Sequence, residues 1–159
     1  VATYDWEYSS SRKPEAQDRF VKYWEVLIGK WHKPWNRELE SELTRKEKRD
    51  IKGLAWAEQP KTINEVGSTF TIQGFDLNYA GVILGPSVKY RNGKIVFDPS
   101  KSHNEKAVRN RTLSDGTKKK FGETLIQHEV RVLMTRGVNG MYIYACDPEL
   151  RAALLEAAK

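Results

Sequence analysis

Two apolar runs, far apart in the chain, constrain the fold most. Tyr79-Ala80-Gly81-Val82-Ile83-Leu84 is nearly continuous, the mark of a buried central strand. Met141 to Ala145 is a second apolar strand. Between them, Phe121 to Arg136 places Leu125, Val132 and Leu133 at helical spacing, with Ile126 and Val130 beside them. A further strand is expected at Thr69–Ile72, inside Gly67 to Ile72, ending at Gln73-Gly74. Val88–Tyr90 and Lys94–Phe97 flank Arg91-Asn92-Gly93, which predicts a β-hairpin with Asn-Gly at its turn. Asp147 is placed to cap a final helix, with Pro148 at its first position and Leu150, Leu154 and Leu155 along it. Strands and helices alternate, so the fold class predicted is α/β: a mostly parallel sheet flanked by helices, with the hairpin as an insertion.

The first half is less patterned. Val1 to Tyr8 has strand-like residues and no start methionine, so a fragment of a longer protein is expected. Ser9 to Pro14 reads as a loop. Phe20, Tyr23, Trp24 and Leu27 recur at helical spacing, while Val26-Leu27-Ile28 fits a short strand equally well. Pro34 disfavours any helix through Trp31 to Trp35. Residues 37–52 are highly charged, with only Leu39, Leu43 and Ile51 apolar, and read as an exposed helix or insertion. Asp98 to Lys119 is polar and loop-rich. The 159 residues fit one domain, 1–159.

Composition removes several function classes. No apolar run approaches the length of a membrane span, and no signal-peptide layout opens the chain, so no membrane partner is expected and the location expected is cytoplasmic. The single Cys146 excludes an internal disulfide and a multi-cysteine zinc site, and reads as a core thiol. His32, His103 and His128 are too scattered for a recognisable metal site. The net charge is +6, and residues 101–136 carry most of it, with nine Lys or Arg against four acids. Such a stretch either binds phosphates or is a solvated face, and Lys118-Lys119-Lys120 has the same two readings. The five Trp residues serve either a core or base stacking.

Two segments carry candidate chemistry. In the first, Gln73, Gly74 and Asp76 lie between two apolar runs. Glycine allows close backbone approach, and the polar side chains can hydrogen-bond a ligand at the carboxyl end of the preceding strand, where ligands of α/β sheets bind. The alternative is an ordinary connection in which Gly74 supplies an unusual backbone angle. In the second, a helix ends in Thr135-Arg136-Gly137 and hands over to a strand. A fixed guanidinium there can stabilise a transferring phosphoryl group. The alternative is a helix-end arginine that compensates the macrodipole.

Together the segments resemble motifs V and VI of superfamily-one helicases, and in particular the Schlafen-like group of prokaryotic DNA/RNA helicases. The motif V resemblance is carried by Thr71-Ile72-Gln73-Gly74-Phe75-Asp76 through Gly85-Pro86. That of motif VI is carried by Val132-Leu133-Met134-Thr135-Arg136-Gly137 with Gly140 to Tyr144 and Asp147-Pro148-Glu149. The resemblance covers about residues 56–151. It implies a RecA-like fold, the second of two such domains that hold ATP and Mg²⁺ between them. The chain has no Gly-x-x-x-x-Gly-Lys-Ser/Thr, so the phosphate loop would belong to an upstream RecA-like P-loop domain, the implied partner.

The resemblance further implies that Arg136 is an arginine finger, that Gln73 and Gly74 lie near the phosphates, and that Asp76 lies near the ribose. Related helicases usually carry Glu where this chain has Asp76. Thr71 would face a DNA or RNA strand. The implied function is the motor domain of an ATP-dependent helicase or translocase, with the isolated domain inactive. A regulatory P-loop ATPase switch and a nucleotide-inactive binding module are the rival readings.

Overall fold

A computed structural model describes residues 1–8, 24–36, 40 and 43–159. The largest strand pair is β3 (Leu77–Leu84) with β8 (Gly137–Ala145), and it is parallel. Between them come the hairpin β4 (Val88–Arg91) and β5 (Lys94–Phe97), the one-turn helix α3 (Glu105–Val108), the short pair β6 (Arg111–Thr112) and β7 (Lys118–Lys119), and helix α4 (Gly122–Met134). Helix α5 (Pro148–Ala157) follows β8. The expected strands at the two apolar runs, the hairpin and both long helices are therefore present. Asn92 and Gly93 occupy the hairpin turn with positive φ, which explains the Asn-Gly pair.

The sheet differs from expectation. Only β3 and β8 pair in parallel; the other described strand pairs are antiparallel. Strand β3 is central, because Ala2 bridges Ile83 in parallel on its other edge. The amide of Thr3 donates to the Ile83 carbonyl at 3.1 Å, and the Ile83 amide to the Val1 carbonyl at 2.8 Å. The strand-like start of the chain thus forms one bridge. Yet β3 is covered unevenly: one face is buried, and the other is closed in part at Ile83, which packs against a second core, and open at Tyr79. Ala80, Val82 and Leu84 are buried, while Tyr79 on the other face is 63% exposed.

The main core joins Ile72, Val82, Leu84, Val88, Ile126, Leu133 and Leu150. Helix α4 sends Ile126, Glu129 and Leu133 inward at helical spacing, so its buried stripe includes a carboxylate. Truncating Ile126 or Leu133 to alanine should cost about 2–5 kcal/mol. Helix α5 begins as its sequence dictates: Asp147 accepts from the Leu150 amide at 2.9 Å, with Pro148 next. The same carboxylate takes a two-pronged ion pair from Arg91, at 3.0 and 2.8 Å, which ties the hairpin to the end of β8. Arg91, first among the causes, holds the Asp147 carboxyl well below the usual carboxylate range.

A second core gathers Ala2, Trp24, Val26, Trp35 and Val66, with Tyr4 and Trp6 packed against it. Here the strand alternative at Val26-Leu27-Ile28 is the one realised: β1 (Glu25–Ile28) pairs antiparallel with β2 (Trp31–Pro34). The helical reading of Glu15 to Leu27 and the loop at Ser9 to Pro14 otherwise fall outside the described residues, as do 37–39 and 41–42. Within 37–52, α1 (Arg45–Asp50) is fully exposed and closed by a capping box from Thr44 and Glu47. Trp24 and Trp35 are core residues, while Trp31 is 43% exposed. Cys146 lies one residue past β8 and is half-buried, and burial pushes its thiol up to about 11. No described helix is long and apolar enough to cross a membrane.

Candidate functional site

Thr69–Ile72 is a helix, α2, and not the expected strand. Its β-branched and aromatic residues favour a strand, but capping and packing override them. Ser68 accepts from the Phe70 amide at 3.2 Å and donates to Asn36 at 2.7 Å, while Ile72 enters the main core. The correction moves the site. The loop Gln73 to Asp76 no longer follows a strand; it precedes β3. Likewise Arg136 precedes β8. The two segments therefore meet at the amino ends of the parallel pair, where Leu77 aligns with Gly137, and not at the carboxyl ends expected of a ligand loop in an α/β sheet.

The meeting is close. Arg136 and Phe75 are 61 positions apart, yet Arg136 Nη1 donates to the Phe75 carbonyl at 3.1 Å. The same nitrogen lies 3.4 Å from Asp76 Oδ1. Arg136 Nε donates to the Val132 carbonyl at 3.1 Å, and the Leu77 amide donates to the Arg136 carbonyl at 2.8 Å. One guanidinium thus closes the end of α4, as a helix-end arginine does, and clasps the loop before β3. Among the described residues no hydrogen bond engages its Nη2. Asp76 thus gives Arg136 an anionic partner within the chain.

Backbone geometry fits the sequence. Gly74 has φ +83°, where a side chain is strained. A Cβ on Gly137 would strike the Gly140 carbonyl, so only glycine lets β8 start beside Arg136. Between Leu77 and Tyr79 the register slips by one residue, a bulge that places Val138 and Asn139 opposite a single partner position. Gln73 and Asp76 are exposed, and Arg136 is 22% exposed at its side chain. Thr71 behaves differently: it is buried, its hydroxyl donating to the Ser68 carbonyl at 2.8 Å. The residue of α2 that faces outward is Phe70, at 56% exposure.

Sequence reasoning missed a buried acidic pair beside this site. Glu129 on α4 accepts from the Tyr4 amide at 2.9 Å and from Thr69 at 3.4 Å. Burial first, then the Asp5 charge, pushes its carboxyl up to about 7. Asp5 accepts from the Ser87 amide at 2.7 Å, while its Oδ1 has no partner, and burial raises its own pKa. The only sequence signal was a glutamate on the apolar stripe of α4. No group of three or more potential metal ligands gathers among the described residues.

These features define an α/β domain in which two sequence-distant loops close on one arginine at the amino ends of a parallel strand pair. A family model described as Schlafen group 3, DNA/RNA helicase domain, matches residues 1–147, and the chain belongs to that family. The match reaches the first residue, well beyond the span of about 56–151 that the motifs cover. The uncharacterized protein YPL245W of Saccharomyces cerevisiae is 35% identical over 161 aligned positions, covering all of this chain and 31% of that protein. The chain therefore spans about a third of its curated relative, which comes from a eukaryote. No solved structure matches.

Proposed function

We propose that this chain is the second RecA-like motor domain of an ATP-dependent DNA/RNA helicase or translocase. The observation that carries the reading is the clasp of Arg136 on the Phe75–Asp76 loop, which joins the two helicase-like motifs at one end of the parallel pair. In the full-length protein, ATP and Mg²⁺ would sit between this domain and a P-loop domain, and ATP would supply the transferable phosphoryl group. The residues present fit that role. Arg136 is held by two carbonyls and still has Nη2 to offer an anion. Gln73 is exposed beside Gly74, where the absent Cβ leaves room for close approach. Asp76 is exposed enough to exchange its arginine for a ribose hydroxyl.

The open face of β3 and β8, with Tyr79, Val138 and Tyr142 all more than half exposed, suits packing against the rest of a longer protein. A cytoplasmic location accords with this nucleic-acid role. Thr71 acts within this reading by holding α2, not by touching the strand. The test is steady-state ATP hydrolysis by the full-length protein, with and without single-stranded DNA or RNA. Arg136→Ala should lower turnover by about 10³–10⁵ with little change in nucleotide binding. Arg136→Lys should rescue poorly, because a point charge lacks the planar fork. Unchanged turnover in a folded Arg136→Ala protein would reduce this arginine to a helix-end residue. Hydrolysis that nucleic acid does not stimulate would favour the regulatory switch.

A further inference from the structure

We infer that the cleft between α2, α3 and α4 holds single-stranded nucleic acid, with a base stacked on Phe70 and phosphates against Lys106 and Arg111. The inference rests on the nucleic-acid half of the proposed function and not on its ATP site. It starts from the reversal at α2, where Thr71 is buried and Phe70 stands out of the surface. Tyr4 meets the Phe70 ring edge-on at 5.6 Å, so the ring is held in place although exposed.

Two clefts meet at Phe70. The smaller, about 430 Å³, is lined by Gln73, Lys106, Arg111 and His128, with Glu129 as its one carboxyl. The larger, about 610 Å³, shares Lys106 but is otherwise lined by Tyr4, Tyr8 and His103 and by two carboxylates, Glu7 and Glu105. The basic side is therefore the smaller cleft. Arg111 Nη2 donates to the backbone carbonyl of Lys106 at 3.0 Å, which holds the guanidinium beside the end of α3. Neither cation forms an ion pair with a carboxylate among the described residues. Arg111 also begins the short β6–β7 pair, so Lys118 and Lys119 stand opposite it and its neighbour.

Two cations of the basic stretch, Lys106 and Arg111, thus line one cleft next to an outward aromatic ring. Cations that follow a backbone beside a ring that stacks a base are the two parts of sequence-tolerant single-strand binding. An acidic peptide could use the same cations and ring, but the family's helicase domain favours nucleic acid, and the peptide is an outcome of the test.

The experiment is fluorescence anisotropy of a labelled oligothymidylate and an oligouridylate of about 15 nucleotides with the full-length protein, titrated over a range of salt. Phe70→Ala should weaken binding about 5- to 150-fold with the salt slope retained. Phe70→Trp should restore it. The double variant Lys106→Ala/Arg111→Ala should lower the slope of log K against log salt by roughly 1.4, two phosphates' worth. It alters only exposed side chains, so it tests the cleft even if Phe70→Ala unfolds. Lys94→Ala, on the hairpin, should bind as the unaltered protein does.

Polyglutamate should compete poorly. All variants should keep the ATP turnover measured without nucleic acid. The inference is overturned if the oligonucleotides do not bind, if the double variant keeps the full slope, or if polyglutamate displaces the strand as well as unlabelled oligonucleotide does. Failure of the Arg136 test would leave these binding results standing, so the two readings fail separately.

Discussion

Replacing Glu129 by Gln should make the domain more stable at alkaline pH and flatten its pH dependence. Glu129 is 8% exposed, and its pKa is raised from 4.5 to about 7, by burial first and by Asp5 second. The unfolded chain releases this proton near pH 4.5, whereas the folded chain holds it until about 7. Between those values the folded state binds more protons, so stability falls as pH rises. The contribution is whole below pH 4.5 and is lost through pH 7. Asp5 from the first segment faces Glu129, with His103 acting on Asp5; Lys106, Arg111 and His128 line the same cleft, and from α2 comes the Thr69 hydroxyl.

A shift of that size corresponds to roughly 3 kcal/mol between pH 4.5 and 8. Glutamine keeps the oxygen that accepts from Tyr4 and Thr69 but carries no charge. Urea unfolding of both proteins from pH 4.5 to 8 measures the effect. Equal stability is expected at the acid end, and a gap of roughly 3 kcal/mol in favour of Glu129→Gln at the alkaline end. In thermal melts that is about 6–12 °C. A wild-type protein whose stability does not fall over this range, or a Gln variant that is weaker at pH 8, would refute the assignment of a carboxyl that prefers its proton.

Three further outcomes are expected. Asp147→Ala removes the cap of α5 and the Arg91 pair together, and should cost about 1–2 kcal/mol in urea unfolding. Because the Asp147 carboxyl is held below its ordinary value, its share of stability should be present above pH 3.8 and lost on acidification below that. Gly74→Ala forces a side chain into φ +83° and should destabilise by about 1–2 kcal/mol by the same assay. Asp76→Ala removes an exposed ion pair and should change stability by less than about 1 kcal/mol, while raising KM for ATP in the full-length protein.

Much of the fold was legible because it rests on local rules. The apolar runs of β3 and β8, the Asn92-Gly93 turn and the Asp147-Pro148 helix start each follow from a few neighbouring residues. The motif resemblance also pointed to Gln73, Gly74, Asp76 and Arg136, of which the structure joins Arg136 and Asp76. Thr69–Ile72 was not legible, since four strand-favouring residues became a helix through a serine cap and a buried isoleucine. That reversal decided which residue faces outward and which end of the strands carries the loop. The pairing of Arg136 with Phe75 and Asp76, the burial of Glu129 against Tyr4, and the gathering of Lys106 and Arg111 beside Phe70 all join residues distant in sequence. The sequence by itself determined β3, β8, the hairpin turn and the two long helices, because those depend on periodicity and on caps a few residues away. Only the tertiary structure decided which polar groups meet, because that depends on how α4 and the first residues pack around β3.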